Sequence, residues 1–292
     1  MIDPEPLLQI INDALRLSAT EIDSARLAGD ASNRTYHRVS WRGNGASGSL
    51  ILMVLAEPEG FKGSEEAVSG ALLPVAELPF VNIQRHLWAC KAPVPEIVFY
   101  DQKRGWLLLE DLGDVTLAEA VRNKRGEALI GYYETAIDEL LTLQLEATAP
   151  PSPPTIAHHR FFDQALFVWE FDHFIEYGIE KRKGIEIPEK EKSAIRSYFS
   201  DIALRLASLP QVFTHRDYHS RNLMIQSDAA HAAHAVSHPV SHPANLSGFK
   251  IRIIDFQDAL MGPCQYDLAS LLRDSYVDLP EEAIDRLIAY YL

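Results

Sequence analysis

Apolar residues recur at helical spacing over residues 5–17, with Leu7, Leu8, Ile11, Ala14 and Leu15 on one stripe, and this predicts an amphipathic helix. The period then changes. SARLAGDASNRTYHRVSW predicts two short strands around GDASN, a turn rich in Gly, Asp, Ser and Asn. SLILMVLA predicts a buried strand, and the Gly- and Glu-containing stretch 57–70 has no period. A helix is expected over about 79–90, ended by KAPVP. EIVFYDQKRGWLLLE predicts a hairpin with its turn at Gln102–Gly105. Residues 1–113 thus predict a small sheet with one helix packed on it.

After Gly113 the pattern turns helical. EALIGYYETAIDELLTLQLEA sets Ile130, Tyr133, Ile137, Leu140, Leu141 and Leu145 on one broad face. Pro150, Pro151, Pro153 and Pro154 break it. FFDQALFVWEFDHFIEYGI and EKEKSAIRSYFSDIALRLASL predict two more helices, and helices are expected over 267–274 and 281–291. Two strands, LMIQ and FKIRIIDF, flank a tract at 228–248 with the near-repeats AAHAAH and VSHPVSHP. His231, His234, His238 and His242 would suit a metal-binding tract. The prolines break any helix that would align the imidazoles, and no Cys or Glu joins them, so the reading preferred is a duplicated, flexible hairpin-loop insertion.

Composition narrows the class. The chain has 292 residues, 47% of them apolar, enough for one large domain or two lobes with a substantial core. A formal charge of −14 makes nucleic acid a poor partner. Two distant cysteines, Cys90 and Cys264, argue against a disulfide framework. No apolar run approaches the roughly 20 residues needed to span a bilayer, and the acidic N-terminus lacks a signal-peptide pattern. The expectation is a cytoplasmic protein without a membrane partner.

The chemistry gathers in FTHRDYHSRNLMI, residues 213–225, and in IIDF further on. Phosphoryl transfer needs a carboxylate near the attacking hydroxyl and oxygen ligands for Mg²⁺ from a second position. Asp217 could take the hydroxyl proton, Asn222 could offer an amide oxygen, and Asp255 could supply a charged ligand at the end of a buried strand. Alternatively, Asp217 and Asn222 tie down a turn and Asp255 caps the next segment. HxDxxxxN succeeded by a strand ending in Asp favours kinase chemistry.

These segments resemble the aminoglycoside phosphotransferase superfamily, the small-molecule branch of the protein-kinase-like fold. GDASNRTYHRV resembles its nucleotide loop, LLLEDLGD its inter-lobe hinge, THRDYHSRNLM its catalytic loop, and IIDFQDALMGPCQYDLASLLRD its metal strand and the helix after it. GDAS, HRD..SRNLM and IDFQDA..GP..YDL.SLLRD are similar, more closely, to the anomeric kinases of N-acetylmuramate and N-acetylglucosamine in cell-wall recycling. The resemblance implies an α+β bilobal fold. An N-lobe, 1–113, would carry an antiparallel sheet and the nucleotide; a mostly helical C-lobe, 114–292, would carry catalysis and the acceptor. It implies ATP and Mg²⁺ as cofactors and a small-molecule acceptor, an amino sugar. Asp217 matches the base, Asn222 and Asp255 the metal ligands, and His219 a group near the transferred phosphate. His215 is expected to pack and hydrogen-bond the loop, and Asp267 to cap its helix and brace that loop. Gly29 would let backbone approach phosphate, with N–H groups of Ala31, Ser32 and Asn33 in the cradle. Glu110 and Leu112 would offer hinge backbone to adenine.

Three departures qualify the resemblance. Met53 stands where kinases usually carry a third-strand lysine, and 78–95 contains no acid to pair with one. Asp255 lies 38 positions after Asp217, about twice the usual interval, and the insertion accounts for the excess. The chain stops at RLIAYYL, where the family usually continues with further helices. Arg34 is a candidate to replace the lysine, with His37 and Lys62 as competitors. Alternation places Thr35, His37 and Val39 on one face and Arg34, Tyr36 and Arg38 on the other, so Arg34 would point away if Val39 covered adenine. Glu170 and Asp258 are candidates for sugar hydroxyls and Arg221 or Arg273 for a substrate carboxylate; salt bridges are the alternative for all four. A kinase for another small alcohol or an aminoglycoside, and an inactive nucleotide-binding pseudokinase, stay open.

Overall fold

A computed structural model describes residues 2–27, 34–55, 77–227 and 248–292. Contacts divide the chain into two compact units. The first draws its described residues from 1–61, 91–136 and 220–254, and the second from 62–90, 137–219 and 255–292.

The first unit begins with helix α1 (Pro4–Leu15). Asp3 caps it by accepting from the Glu5 N–H, and Pro4 sits at its start. Arg16 leaves the helix in the left-handed region, and Asn12 then clamps Ala19 through both backbone groups. Five antiparallel strands come next: β1 (Glu21–Arg26), β2 (Arg34–Gly43), β3 (Ala46–Leu55), β4 (Ile97–Asp101) and β5 (Trp106–Glu110), ordered β1-β2-β3-β5-β4. Asn44 and Gly45, both at positive φ, turn β2 into β3, as a tight hairpin of matching twist requires. The Gln102–Gly105 turn joins β4 to β5 as the pattern predicts.

Helix α1 packs on this sheet. Its Leu7 and Ile11 form a core with Val39, Leu50, Leu52 and Leu108. The expected helix at 79–90 forms as α2 (Pro79–Ala89), but it belongs to the second unit. There Asn82 accepts the Ile156 N–H, and the buried His86 meets the Ala147 carbonyl.

The short helix α3 (Leu117–Val121) starts with a capping box, Thr116 and Glu119 satisfying each other's backbone. The long helix α4 (Gly126–Glu146) contributes residues to both units. In the second unit α5 (Gln164–His173) runs into a π-helical segment, Phe174–Lys181, and then α6 (Glu189–Ala207). Phe162, Leu166, Phe167, Ala203 and Leu260 make its core cluster.

Two ribbons frame the motif segments. Strand β6 (Gln211–Thr214) pairs with β9 (Leu260–Pro263), Thr214 opposite Leu260. A side chain at Gly262 would strike Thr214 Oγ1 and the Phe162 ring, so the ribbon needs glycine there. In the first unit β7 (Leu223–Ser227) pairs with β8 (Phe249–Ile253), Leu223 opposite Ile253. These are the strands expected on either side of the insertion. Residues 228–247 of it lie outside the described residues. Helices α7 (Gln265–Leu272) and α8 (Glu281–Tyr291) close the chain.

Candidate active site

The loop between β6 and β7 carries His215, Asp217, His219 and Asn222; the turn between β8 and β9 carries Asp255 and Asp258. Strand pairing explains their placement. Thr214 and Leu260 are opposite each other in the second unit, so the loop leaves the ribbon where the Asp255 turn enters it.

Asp267 braces the loop. It is fully buried on α7, and its two carboxylate oxygens accept the backbone N–H groups of His215 at 2.7 Å and Arg216 at 3.0 Å. It does not cap its own helix: Cys264 occupies that position, with no side-chain cap. Burial pushes the Asp267 carboxyl up to about 7, against the pull of those two donors. Arg216 is held at φ +80°, and its guanidinium reaches Glu170, whose other oxygen accepts the Tyr266 hydroxyl. His215 is buried and meets Tyr218 edge-on.

Asp217 is pushed up to about 6, first by burial and then by the charges of Asp255, Asp258 and Glu170, against Arg216. Asp255 is solvent-exposed and stands at φ +66°. Gln257 donates to its Oδ1 at 2.9 Å and to Asp258 Oδ2 at 3.0 Å. His219 lies edge-on to Tyr276.

In the first unit Asn222 is buried next to β7, and its carbonyl accepts the Ile254 N–H. Asp255 and Asn222 are each, taken singly, donors of the hard-oxygen type that Mg²⁺ takes: Asp255 in the second unit offers an exposed carboxylate, and Asn222 in the first an amide oxygen. Among the described residues no group of three or more His, Cys, Asp or Glu is placed to hold a metal. The carboxylate charge that raises Asp217 is also what a divalent cation would offset.

Glu110 ends β5, and its side chain is locked. Arg252 on β8 contacts both its oxygens and also donates to the Pro93 and Val94 carbonyls and to Gln226. The neighbouring Asp111 is buried. Burial would raise its pKa, but Arg38, Ser49 and the Gly113 N–H hold it below the usual value. Leu112 is buried. Met53 is fully buried, opposite Tyr36 and Leu107. Val39 lies in the α1 core, so the condition that would turn Arg34 away does not hold; Arg34 shares the opposite face with Met53. Arg221 is exposed, and Arg273 makes a two-bond ion pair with Glu281. Gly29, Ala31, Ser32, Asn33 and Lys62 lie outside the described residues.

The sequence pattern does not single out Arg252, Gln257 or Tyr266. Gln257 carries a signal, an amide set between two acids in IDFQDA; Arg252 resembles one face of an ordinary strand.

A braced Asp217, an Asn opening the next strand and an Asp just past its partner strand define the class, a kinase-like phosphotransferase fold. The chain belongs to the phosphotransferase enzyme family, which it matches over residues 23–233 and 242–292. The internal gap in that match falls inside the His-rich insertion. The chain is similar to the N-acetylmuramate/N-acetylglucosamine kinase of Neisseria meningitidis, 27% identical over 93% of this chain and 67% of that protein. The enzyme of the same name from Pseudomonas aeruginosa is 30% identical over 90% of this chain and 63% of that protein, and that of Pseudomonas putida 27% over 96% and 69%. The chain spans about two thirds of the length of these relatives. Among solved structures, a Plasmodium vivax ethanolamine kinase aligns with TM-score 0.54 and 14% identity over 92% of this chain and 67% of that one. The GDP complex of aminoglycoside 2'-phosphotransferase-IIIa aligns with TM-score 0.55 and 12% identity over 98% and 82%. These two likenesses support the kinase-like α+β fold alone. No described helix is long and apolar enough to cross a membrane.

Proposed function

We propose that this protein transfers the γ-phosphoryl group of ATP to a hydroxyl of an N-acetylated amino sugar, the anomeric C1 hydroxyl of N-acetylmuramate or N-acetylglucosamine. The observation that carries the reading is the Asp217 environment. A carboxylate raised to about 6 and fixed by Asp267 through its loop backbone is suited to accept a proton near neutral pH. The relatives named for this activity support the choice of substrate class.

In this reading Asp217 orients the acceptor hydroxyl and takes its proton as the new O–P bond forms and the bond to ADP breaks. Asn222 and Asp255 would be the residues that hold Mg²⁺, whose chemistry there would be to supply positive charge against the phosphates. On this reading the nucleotide is assigned to residues 1–113 and catalysis and the acceptor to 114–292, with backbone of Glu110 and Leu112 offered to adenine and that of residues 29–33 to phosphate. Arg34, on the Met53 face, supplies cationic charge in place of the third-strand lysine. His219 stands by the transferred phosphate. Asp258, Arg221, Glu170 and Arg273 are the acceptor candidates, of which Glu170 and Arg273 already hold ion pairs with Arg216 and Glu281. On the same reading the protein acts in the cytoplasm, where ATP is available.

The test is ADP release with Mg²⁺–ATP across N-acetylglucosamine, N-acetylmuramate, glucosamine, ethanolamine and kanamycin, with ³¹P NMR of the product. A sugar 1-phosphate from the N-acetylated sugars is expected. Preferred turnover of kanamycin or ethanolamine would move the assignment to another acceptor. Nucleotide binding without turnover on any acceptor would favour the pseudokinase reading, which rests on Met53.

A further inference from the structure

We infer that Gln257 is a positioning residue for the cation site, an assignment that rests on the proposed role of Asp255 as a Mg²⁺ ligand. Gln257 is only 5% exposed. Its single amide nitrogen donates to Asp255 Oδ1 and Asp258 Oδ2. The opposite orientation would set the amide oxygen against two carboxylate oxygens, so the network fixes the nitrogen there. The consequence falls on the other side. Gln257 Oε1 is buried and has no partner among the described residues.

A buried acceptor without a donor opposes folding. Methionine has nearly the same shape and would fill the space without an orphaned oxygen. Packing therefore gives no reason for glutamine here; the carboxylates do. Asp255 is exposed and its backbone is in the left-handed region, so burial does not set its side chain. Between Phe256, buried and tilted against Phe80, and the buried Ala259, Gln257 is itself rigidly held. It transmits that rigidity to Asp255. The same amide nitrogen also donates to Asp258, so one rigid side chain ties both carboxylates. Partners of this kind, one bond removed from the ion, orient its ligands.

The test is Mn²⁺ binding to the protein in the presence of ADP, monitored by the EPR signal of free Mn²⁺, for wild type, Gln257→Met and Asp255→Asn. Gln257→Met should weaken Mn²⁺ roughly tenfold or more, leave metal-free ADP binding unchanged and keep a melting temperature close to wild type. Its activity should recover at high Mg²⁺. Gln257→Leu serves as the second variant should the methionine protein not fold. If Asp255→Asn abolishes Mn²⁺ binding while both Gln257 variants bind as wild type, this inference falls and the functional reading stands. A lowered melting temperature with unchanged Mn²⁺ affinity also overturns it, making Gln257 structural. A wild-type protein that binds no Mn²⁺ with ADP overturns the metal role of Asp255 and this inference together.

Discussion

Removing the Asp267 carboxylate should unseat the catalytic loop. Asp267→Ala leaves the N–H groups of His215 and Arg216 without their acceptor in the interior. Each orphaned donor costs about 1–3 kcal/mol, so the loss of stability is roughly 2–6 kcal/mol if the two add. Arg216 sits at φ +80°, a conformation that costs on the order of 1–3 kcal/mol for a residue with a side chain. With the brace gone, it relaxes, and Asp217 is its chain neighbour. Turnover should therefore fall more than nucleotide affinity. Urea unfolding monitored by circular dichroism and by tryptophan fluorescence measures the first effect, provided the two transitions coincide. Single-turnover kinetics measures the second. A variant within about 0.5 kcal/mol of wild type, with unchanged turnover, would refute the brace.

The same carboxyl makes a pH prediction. Folded, it is raised to about 7 by burial; unfolded, it returns to about 3.9. The folded state binds this proton more tightly, so the stability it contributes is present below about 4 and is lost as pH rises through about 7. Asp267→Asn removes the titration. The stability gap between wild type and Asp267→Asn should then shrink from pH 5 to pH 8; a gap independent of pH would mean that Asp267 does not take up a proton in this range.

Three further outcomes are expected. Asp217→Asn should fold and bind ATP but lose roughly 10²–10⁴ in turnover, and near-wild-type turnover would remove it from the mechanism. Arg34→Ala should raise the KM for ATP and lower turnover, with Met53→Lys in that background restoring part of the binding; unchanged ATP kinetics would leave the phosphates to loop backbone and Mg²⁺. Replacing residues 228–248 with a short Gly-containing turn should preserve folding and activity, since the family match itself passes over 234–241; a soluble, folded but inactive deletion would contradict the reading of that tract as a loop without catalytic role.

Local signals were legible and distant partners were not. The helices at 4–15 and 79–89, the 102–105 turn and the strands β7 and β8 arise from period and turn chemistry acting within a few residues. Strands β6 and β9 escaped because each is four residues long, includes Pro263 or borders the motif, and pairs across a long sequence gap. The helix expected through FIEYGI continues as a π-helical segment, a change of hydrogen-bond register that side-chain period alone does not announce. Alternation sorted the faces of β2 correctly, but only the packing of α1 on Val39 decides which face is core. Arg252 is the clearest loss. Its bonds reach residues 93, 94, 110 and 226, and nothing in FKIRI distinguishes it from a solvated strand arginine.

The strain in this fold is not spread evenly. Among the described residues, five without glycine's freedom have positive φ: Arg16, Asn44, Lys91, Arg216 and Asp255. The first three mark the end of α1, a hairpin turn and the residues just after α2, where such conformations end or reverse elements. The other two end no helix and make no hairpin. They sit next to Asp217 and at the proposed metal ligand. Glycine would adopt either conformation with less strain, but it would remove the guanidinium that meets Glu170 and the carboxylate that Gln257 holds. Asp267 adds a buried acid and Gln257 a buried acceptor without a partner in the same two chain segments. Each feature alone has a structural excuse. Their concentration within 215–217 and 255–267 is not explained by packing: glycine at Arg216 or Asp255 would relieve the backbone strain, and an apolar side chain at Gln257 would leave no orphaned oxygen. Side chains kept there against local preference are what a preorganised phosphoryl-transfer site requires.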